Sequence, residues 1–396
     1  MAAAAVAADG TVTSPRRDVV AAGLALVALR RCPAPVGAHA KRYNCRVSRL
    51  ARAATVTTAL APLSDAQLAD RLRDWNPGHH GIGGATGTLN VDGVTVFVKK
   101  VLVTAPELAA PRSTANLFGL PCLYQYALGQ DAVGSLGFGA WRELATHELT
   151  TSWVQGGRFP GFPLLHHWRL LPRPQRPEQD GAELERQVAA WGGSEAVRRR
   201  LAAVGEAPAV LVLFMEHWPT TVHTWLQKRI AEDGGATAIQ HVDQQLEAAV
   251  RFFDRAGLVH FDVHLDNVLT DGEEFVVTDF GLSGHDRFDL DPDEAAFLAR
   301  HRPSPVDPGY DRAYARGYFA RWLVAEFLNA FRADAVAVLT DVAAGKDVGL
   351  PPAAATVLAR DAPLALVMNE FFLGLRARSR STPYPAEALR RTYRPA

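Results

Sequence analysis

Two kinds of hydrophobic spacing alternate along this chain. Apolar side chains at intervals of three to five residues indicate helices with one buried face. Short runs that are continuously apolar, or that alternate with polar residues, indicate strands. We predict helices at residues 64–75, 140–154, 221–230, 239–255, 310–331 and 353–375. We predict strands at residues 88–91, 94–101, 162–171, 209–214, 268–269 and 275–277.

Two longer segments fit neither pattern over most of their length. Residues 104–139 are rich in glycine, proline and aromatic residues, which predicts an ordered insertion that borders the functional cleft. Residues 172–207 are polar, charged and partly helical in pattern, which predicts an exposed insertion. Between the first two strands, Asp92 and Gly93 favour a tight hairpin turn.

Composition and charge narrow the class of protein. The 396 residues carry no net charge, so nothing in the overall charge indicates a nucleic-acid partner, and the chain is long enough for two substantial lobes. Residues 1–60 differ from the rest, because they contain nine Lys or Arg against two Asp. We expect these residues to form a basic extension that is disordered or loosely helical.

Cysteine content and hydrophobicity indicate a cytoplasmic protein. Cys32, Cys45 and Cys122 are too few and too scattered for a disulfide framework or a zinc site. No run reaches the roughly 18 apolar residues needed to span a bilayer, so no membrane partner is expected. Arg16 and Arg17 precede an apolar run, as in a twin-arginine export signal, but further arginines follow that run directly and argue against export.

The clearest chemical pattern lies in residues 258–282. An H-x-D-x-H-x-x-N string begins at His260, and a D-F-G triplet begins at Asp279. Two of the predicted strands lie between these motifs. This order predicts a small hairpin that presents Asp262, Asn267 and Asp279 close together on a rigid support.

Phosphoryl transfer from ATP requires this combination of side chains. One carboxylate accepts or orients the proton of the attacking hydroxyl group, and an amide and a second carboxylate hold magnesium. Asp262 is therefore the candidate base, and Asn267 and Asp279 are the candidate metal ligands. Other interpretations stay open: these residues also form local turns, and His260 can be a buried structural residue. With further ligands, His260, Asp262 and His264 could instead form the metal site of a hydrolase.

These motifs resemble the catalytic loop and the metal-binding triplet of the protein-kinase-like superfamily. His264 stands where serine/threonine protein kinases usually have lysine. In this respect the string is similar to that of aminoglycoside phosphotransferases and choline kinases, which phosphorylate small molecules. The A-P-E motif that ends the activation segment of protein kinases does not follow Gly281. The resemblance covers roughly residues 80–330 and implies a bacterial kinase.

The resemblance also implies nucleotide-binding roles for residues nearer the start of the chain. A set of glycines would let backbone N–H groups approach the phosphates, although its spacing differs from the family's G-x-G-x-x-G. These glycines are Gly81, Gly83, Gly84 and Gly87. Lys99, which ends a V-F-V-K sequence, would contact the α- and β-phosphates. Lys100 is the alternative, because alternation along the strand places it with the apolar side chains.

A partner for this lysine and an adenine site follow from the order of elements in the family. Glu143, on its predicted helix, would hold the lysine, with Glu148 as the alternative. Residues 215–219 would form a hinge, where the backbone of Glu216 and Trp218 would lie against the adenine edge.

The implied fold is α+β with two lobes, a mostly antiparallel sheet in the first (residues 61–214) and helices in the second (residues 220–396). ATP and Mg²⁺ would bind between them, and the γ-phosphate would pass to a hydroxyl group, most readily on a small molecule. The implied catalytic set is Lys99, Glu143, Asp262 and His264. Two other functions stay open, an atypical bacterial serine/threonine protein kinase and a catalytically silent binding module with the same fold.

Overall fold

The structure of the protein is a computed structural model that describes residues 38–81, 84–126, 134–173, 180–331 and 333–393. The chain divides into two compact units, Met1–Val47 and Ser48–Ala396. In the first unit the described residues are helical. The second unit contains the sheet and the other helices, and the features below belong to it.

The first described element begins at Ala38. The helices are α1 (Ala38–Leu60), α2 (Asp65–Arg71), α3 (Ala105–Ala109), α4 (Ala140–Gln155), α5 (Gly181–Ala190), α6 (Glu195–Gly205), α7 (Val222–Asp233), α8 (Ala236–Ala256), α9 (Pro292–His301), α10 (Tyr310–Leu328), α11 (Ala333–Ala343), α12 (Pro352–Leu373) and α13 (Ala386–Thr392). The strands are β1 (Asn76–Gly81), β2 (Gly84–Val91), β3 (Val94–Val103), β4 (Leu165–Pro172), β5 (Ala209–Glu216), β6 (Thr220–Thr221), β7 (Leu258–Val259), β8 (Val268–Thr270), β9 (Phe275–Val277) and β10 (Gly284–His285). Every helix and strand that the hydrophobic pattern predicts has a counterpart among them.

Five strands form an antiparallel sheet in the order β1-β2-β3-β5-β4. On one face, Val56 of α1 and Leu68 of α2 pack in a cluster with Val98 of β3. On the other face, Leu144 of α4 packs in a cluster with Val101 of β3. Because side chains alternate along a strand, neighbouring residues of β3 face different helices.

The chain after β5 is mainly helical. Residues 217–219 connect β5 to β6, and β6 pairs with the β8–β9 hairpin in a three-stranded sheet. Val268 and Val277 of that hairpin belong to the largest hydrophobic cluster, which α8, α10 and α12 share. The protein therefore has a mixed α+β fold, and the hairpin predicted to carry the chemistry is fixed on a helical core.

Helix α1 corrects part of the expectation for residues 1–60. Its side chains at Val56 and Leu60 are fully buried, because this part of the helix packs on the sheet. The final third of the basic segment is therefore ordered, while residues 1–37 lie outside the described part of the chain.

The prediction of an exposed insertion at residues 172–207 is wrong for its helices. Val188 of α5 and Val197 of α6 are buried in a cluster with Tyr124. Residues 104–139 and residues 172–207 thus pack on each other. The apolar residues of the second segment form only a narrow stripe among many charged residues, so its sequence predicts exposure. Within the described ranges, no helix combines the length and hydrophobicity that crossing a bilayer requires.

Candidate active site

The amine of Lys99 lies between two carboxylates from distant parts of the chain. Its Nζ is 2.6 Å from Oε1 of Glu143 on α4 and 2.8 Å from Oδ1 of Asp279, which follows β9. Lys99 and Glu143 are buried, whereas the Asp279 side chain is 49% exposed. These contacts join the sheet, α4 and the hairpin. Of the three side chains, that of Asp279 is the one most exposed to solvent.

The charges of these groups stabilise one another. Burial opposes the charge on Lys99, but the negative charges of Asp279 and Glu143 outweigh burial and raise the pKa of the amine. The positive charge of Lys99 in turn lowers the pKa of Asp279 from 3.8 to about 2, against the opposite effect of burial. Both groups are therefore charged at neutral pH.

The geometry distinguishes the alternatives that the sequence left open. Lys99 faces α4, whereas the amine of Lys100 lies on the other face of β3, 3.7 Å from the ring centroid of Trp75. Glu148 pairs with Arg112 at 2.6 Å. In each pair of alternatives, the first member reaches the site and the second is engaged elsewhere.

Asp262 lies in the loop before β8 and is held by three neighbours. Tyr314 of α10 donates from its hydroxyl group to Oδ1 at 3.0 Å, and Nδ2 of Asn267 donates to Oδ2 at 3.1 Å. Nε2 of His264 is 3.6 Å from Oδ1. These contacts fix the orientation of the carboxylate, and 20% of the side chain stays exposed to solvent.

Both ring nitrogens of His264 lie near carboxylates. Its Nε2 and Nδ1 lie 3.6 Å and 3.7 Å from carboxylate oxygens of Asp262 and Asp266. Burial opposes a charge on the ring, but the two carboxylates outweigh burial and raise the pKa of His264 to about 10. The backbone N–H of Asp266 donates to Nδ1 at 3.2 Å and favours the neutral ring. The carboxylates thus favour a charged ring, which would offset negative charge beside Asp262.

In each of the two candidate metal ligands, one side-chain oxygen atom accepts no hydrogen bond from any described residue. One is Oδ1 of Asn267, whose Nδ2 bonds to the Asp262 backbone and side chain; the other is Oδ2 of Asp279, whose Oδ1 accepts from Lys99. Amide and carboxylate oxygens are ligands that Mg²⁺ takes in proteins. The donor set therefore fits magnesium.

His260 is structural, and its geometry opposes the hydrolase interpretation. Its Nε2 donates to the carbonyl oxygen of Thr278 at 3.0 Å, and its Nδ1 accepts from the N–H of Asp262 at 3.2 Å. Burial lowers the pKa of His260. Both ring nitrogens are thus engaged, and the described residues hold no group of three or more His, Cys, Asp or Glu arranged around a metal.

The buried Asp311 of α10 anchors the start of this loop. Its carboxylate oxygens accept from the N–H groups of His260 at 2.7 Å and of Phe261 at 2.9 Å. Phe261 has φ 67° and Asp279 has φ 64°, left-handed conformations that residues with a side chain rarely adopt. Strain of this kind clusters at functional sites, and the two bonds to Asp311 hold the first of these conformations in place.

The glycine-rich segment forms the end of a hairpin, with Gly81 of β1 paired to Gly84 of β2. A Cβ atom at Gly84 would overlap a carbonyl oxygen of β3, and one at Gly87 would overlap a carbonyl oxygen of β1. Close strand packing therefore explains these two glycines without a ligand. Gly83 lies outside the described residues.

The residues predicted to contact adenine are engaged with α1. Arg49 binds the buried carboxylate of Glu216, with Nη2 2.7 Å from Oε2 and Nε 2.9 Å from Oε1. The N–H of Glu216 donates to the carbonyl oxygen of Leu164 at 2.8 Å. The Arg49 guanidinium also lies 5.2 Å from the ring centroid of Trp218. The Glu216 side chain and N–H are thus occupied by the protein itself, and a backbone contact with adenine through its carbonyl oxygen stays a prediction.

Sequence reasoning missed Arg49, Asp311 and Tyr314. Arg49 lies among other basic residues and has no distinguishing pattern. Asp311 and Tyr314 lie on a helix whose spacing indicates packing, and the one available signal is a carboxylate on its buried face.

Comparison with known proteins adds no assignment, since no protein-family model and no curated protein matches the chain. The function proposed below depends on the geometry of the chain's own residues.

Proposed function

We propose that this protein is an ATP- and Mg²⁺-dependent phosphotransferase of the protein-kinase-like superfamily that acts on a hydroxyl group of a small molecule. The observation that carries the proposal is the meeting of Lys99, Glu143 and Asp279 within 2.8 Å contacts, beside an Asp262–Asn267 pair joined at 3.1 Å. Lys99 and Asp279 are 180 positions apart in the sequence. Hydrophobic packing alone would not bring one lysine and two carboxylates from distant parts of the chain together.

The architecture supports the same proposal. The mixed α+β fold, with α4 on one face of an antiparallel sheet and a mainly helical part after residues 217–219, is consistent with the two lobes that the resemblance implies. The candidate residues come from both parts, because Lys99 belongs to β3 while Asp262 and Asp279 flank the β8–β9 hairpin. A nucleotide held between the lobes would reach both sets, and a cytoplasmic location would supply the ATP.

Each candidate residue has a role that its geometry allows. Lys99, fixed by Glu143, would hold the α- and β-phosphates, and the free oxygens of Asn267 and Asp279 would hold magnesium. Asp262 would orient the acceptor hydroxyl and take its proton.

Bound Mg·ATP would supply the γ-phosphoryl group: the acceptor oxygen bonds to phosphorus as the bond to the bridging oxygen breaks, and ADP leaves with that electron pair. The protein's own contribution is to hold donor and acceptor in line.

The segment after Asp279 favours a small-molecule acceptor over a protein. Only ten residues lie between Gly281 and the start of α9 at Pro292. Within them Ser283 and His285 are buried, and Ser283 Oγ lies 2.8 Å from Oγ1 of Thr146 on α4. A segment this short, whose first part packs on α4, leaves little surface on which an extended peptide could lie.

The test separates metal binding from chemistry. Wild-type protein should bind a non-hydrolysable ATP analogue in calorimetry only when Mg²⁺ is present, and Asp279→Asn should weaken this binding at least tenfold. Asp286→Asn is the matched control, because that aspartate lies in the same segment and pairs with Arg302. Asp262→Asn should bind the analogue normally and lose roughly 10²- to 10⁴-fold in turnover against a pooled hydroxyl library read by mass gain.

Two results would count against the proposal. Mg·nucleotide affinity that is unchanged in Asp279→Asn would remove the metal role, and absence of any nucleotide binding by wild type would indicate a silent module. Autophosphorylation that Asp262→Asn abolishes would favour a protein kinase instead.

A further inference from the structure

A cavity of about 640 Å³ opens between α10, α11 and the end of α12. Its size lies within the range of roughly 300–1,000 Å³ that holds small organic ligands. Its walls combine aromatic, apolar and basic side chains, and none of them is acidic. They include Tyr318, Arg321, Trp322, Phe331, Leu373 and Arg376.

One wall of the cavity continues to the candidate base. Tyr314 donates to Asp262, and Tyr318, one turn further along α10, has its ring 5.5 Å from the ring of His264. Arg321 follows on the same side of the helix, and its guanidinium lies 5.9 Å from the Tyr318 ring. The cavity wall at Tyr318 therefore lies beside His264, which is 3.6 Å from Asp262, and it continues along α10 to an arginine.

The far end of the cavity is positively charged. Neither the partly buried Arg321 nor the exposed Arg376 has a carboxylate within 4 Å among the residues described. By contrast, Arg312 and Arg316 of α10 and Arg360 of α12 pair with acids. Burial and the neighbouring charge of Arg376 lower the pKa of Arg321, against the opposite effect of Tyr314 and Tyr318. A guanidinium keeps its charge even so. Two adjacent cations without a counter-charge favour an anionic ligand.

Two further features indicate a ligand here. Phe331 and Leu373 are 59% and 47% exposed, and they are among the few large apolar side chains of the described residues that face solvent. The turn that carries Arg376, Gly374–Arg378, is a π-helix, a distortion that is frequent at functional sites. An exposed apolar rim beside two cations matches a molecule with an apolar body and a charged end.

The spacing along α10 sets a length for such a molecule. Tyr314, at the base, and Arg321, at the cationic end, are seven residues apart, which corresponds to about 10 Å along a helix. We propose that this cavity holds the phosphoryl acceptor, an apolar molecule with a hydroxyl group at one end and a carboxylate or phosphate about 10 Å away. The assignment of this molecule as acceptor rests on the function proposed above.

Titration calorimetry with the full chain can test the charge, the length and the site together. The probes are ω-hydroxydecanoate, ω-hydroxydecyl phosphate, ω-hydroxydecyl-trimethylammonium and the short ω-hydroxybutanoate. At least one of the two long anions should bind, and the cation and the short acid should bind at least tenfold more weakly. Comparison of the carboxylate with the phosphate shows which anion the arginines prefer.

Variants locate the binding. Arg321→Gln and Arg376→Gln should each weaken binding of the long anion roughly tenfold, the usual loss when a charge-assisted contact is removed. Arg378→Gln is the matched control, since Arg378 lies in the same turn but does not line the cavity and is 3.9 Å from Glu370. Because Arg376 and Arg378 are exposed, these variants should fold like wild type.

The proposal is overturned if the cation binds as tightly as the anions, if neither long anion binds, or if the Arg321 and Arg376 variants bind like wild type. These outcomes are independent of the phosphotransferase proposal. Binding of Mg·ATP analogue without binding of the long anion would reject the acceptor class alone, and binding of the long anion without the analogue would reject the phosphotransferase alone.

Discussion

The amine of Lys99 is the cation that Glu143 and Asp279 share, so its removal tests the residue on which the site's electrostatics depend. In Lys99→Met the buried carboxylate of Glu143 would lose its counter-charge. Breaking a buried pair in this way costs about 3–5 kcal/mol of unfolding free energy. We expect a loss of this size in urea denaturation, together with loss of Mg·nucleotide binding.

The neighbouring lysine provides the control for that prediction. Lys100→Met removes only a contact with Trp75, worth about 0.5–1 kcal/mol, and should leave nucleotide binding intact. Equal losses of unfolding free energy and of nucleotide binding in the two variants would mean that Lys99 does not face α4.

Protonation of His264 should make the unfolding free energy depend on pH. Its pKa is raised from 6.5 to about 10 by Asp262 and Asp266. Its charge therefore contributes stability that is complete below about pH 6.5 and is lost as pH rises through about 10. The difference in unfolding free energy between wild type and His264→Gln should shrink steadily across this window in urea titrations. A difference that stays constant with pH would show that the ring is neutral, as the N–H of Asp266 favours.

At the scale of elements, α1 is joined to the sheet by a contact that has no sequence signal. Arg49 donates to Glu216 and to the carbonyl oxygens of Pro160 and Phe162, at 2.8 Å and 2.5 Å for the carbonyls. One arginine therefore donates hydrogen bonds to the carboxylate at the end of β5 and to two carbonyl groups that precede β4. The partners are more than 100 positions away, so a basic segment at the start of the chain looks like a solvated extension.

Arg49→Met should destabilise the protein by about 3–5 kcal/mol, because the buried carboxylate of Glu216 would lose its one buried cation. Arg52→Met is the control: Arg52 is half exposed and 3.7 Å from the same carboxylate, and an exposed pair contributes less than about 1 kcal/mol. The measurement is the midpoint shift in urea denaturation at constant slope. Similar midpoints for the two variants would indicate that α1 adds little to the fold.

The elements and the core of the site could be predicted from sequence to different extents. Hydrophobic periodicity is local, so it located six of the helices and six of the strands that the described residues contain, among them α4, α10 and the β8–β9 hairpin. The H-x-D-x-H-x-x-N string and the D-F-G triplet are also local, because the two ends of one hairpin carry them. The anchors Asp311 and Tyr314 could not be found in this way, since their contacts with residues 260–262 depend on how α10 packs.

At the scale of the whole molecule, the segment between β3 and α4 packs against the chain at the D-F-G triplet. Gly137 lies against the carbonyl oxygen of Gly281. Arg142 of α4 forms a buried ion pair with Glu294 of α9 at 2.8 Å. Helix α4 is thus tied to the chain after the D-F-G triplet, and the position of Glu143 is coupled to that of Asp279 by packing as well as by Lys99. Such packing would keep the charged cluster assembled without any modification of the chain.

Gly137→Ala tests this coupling without replacing any charged group of the site. A Cβ atom at position 137 would overlap the Gly281 oxygen, so either the insertion or the D-F-G segment must move. Gly119 is a matched control, with φ +62° against +66° at Gly137 and no heavy atom within 4 Å of an added Cβ. Gly119→Ala should therefore cost only the backbone strain of about 1–2 kcal/mol. Gly137→Ala should cost more and should also weaken Mg·nucleotide binding, since Asp279 lies two residues from the displaced carbonyl group. Nucleotide affinity equal in the two variants would mean that the insertion packs beside the site without holding it.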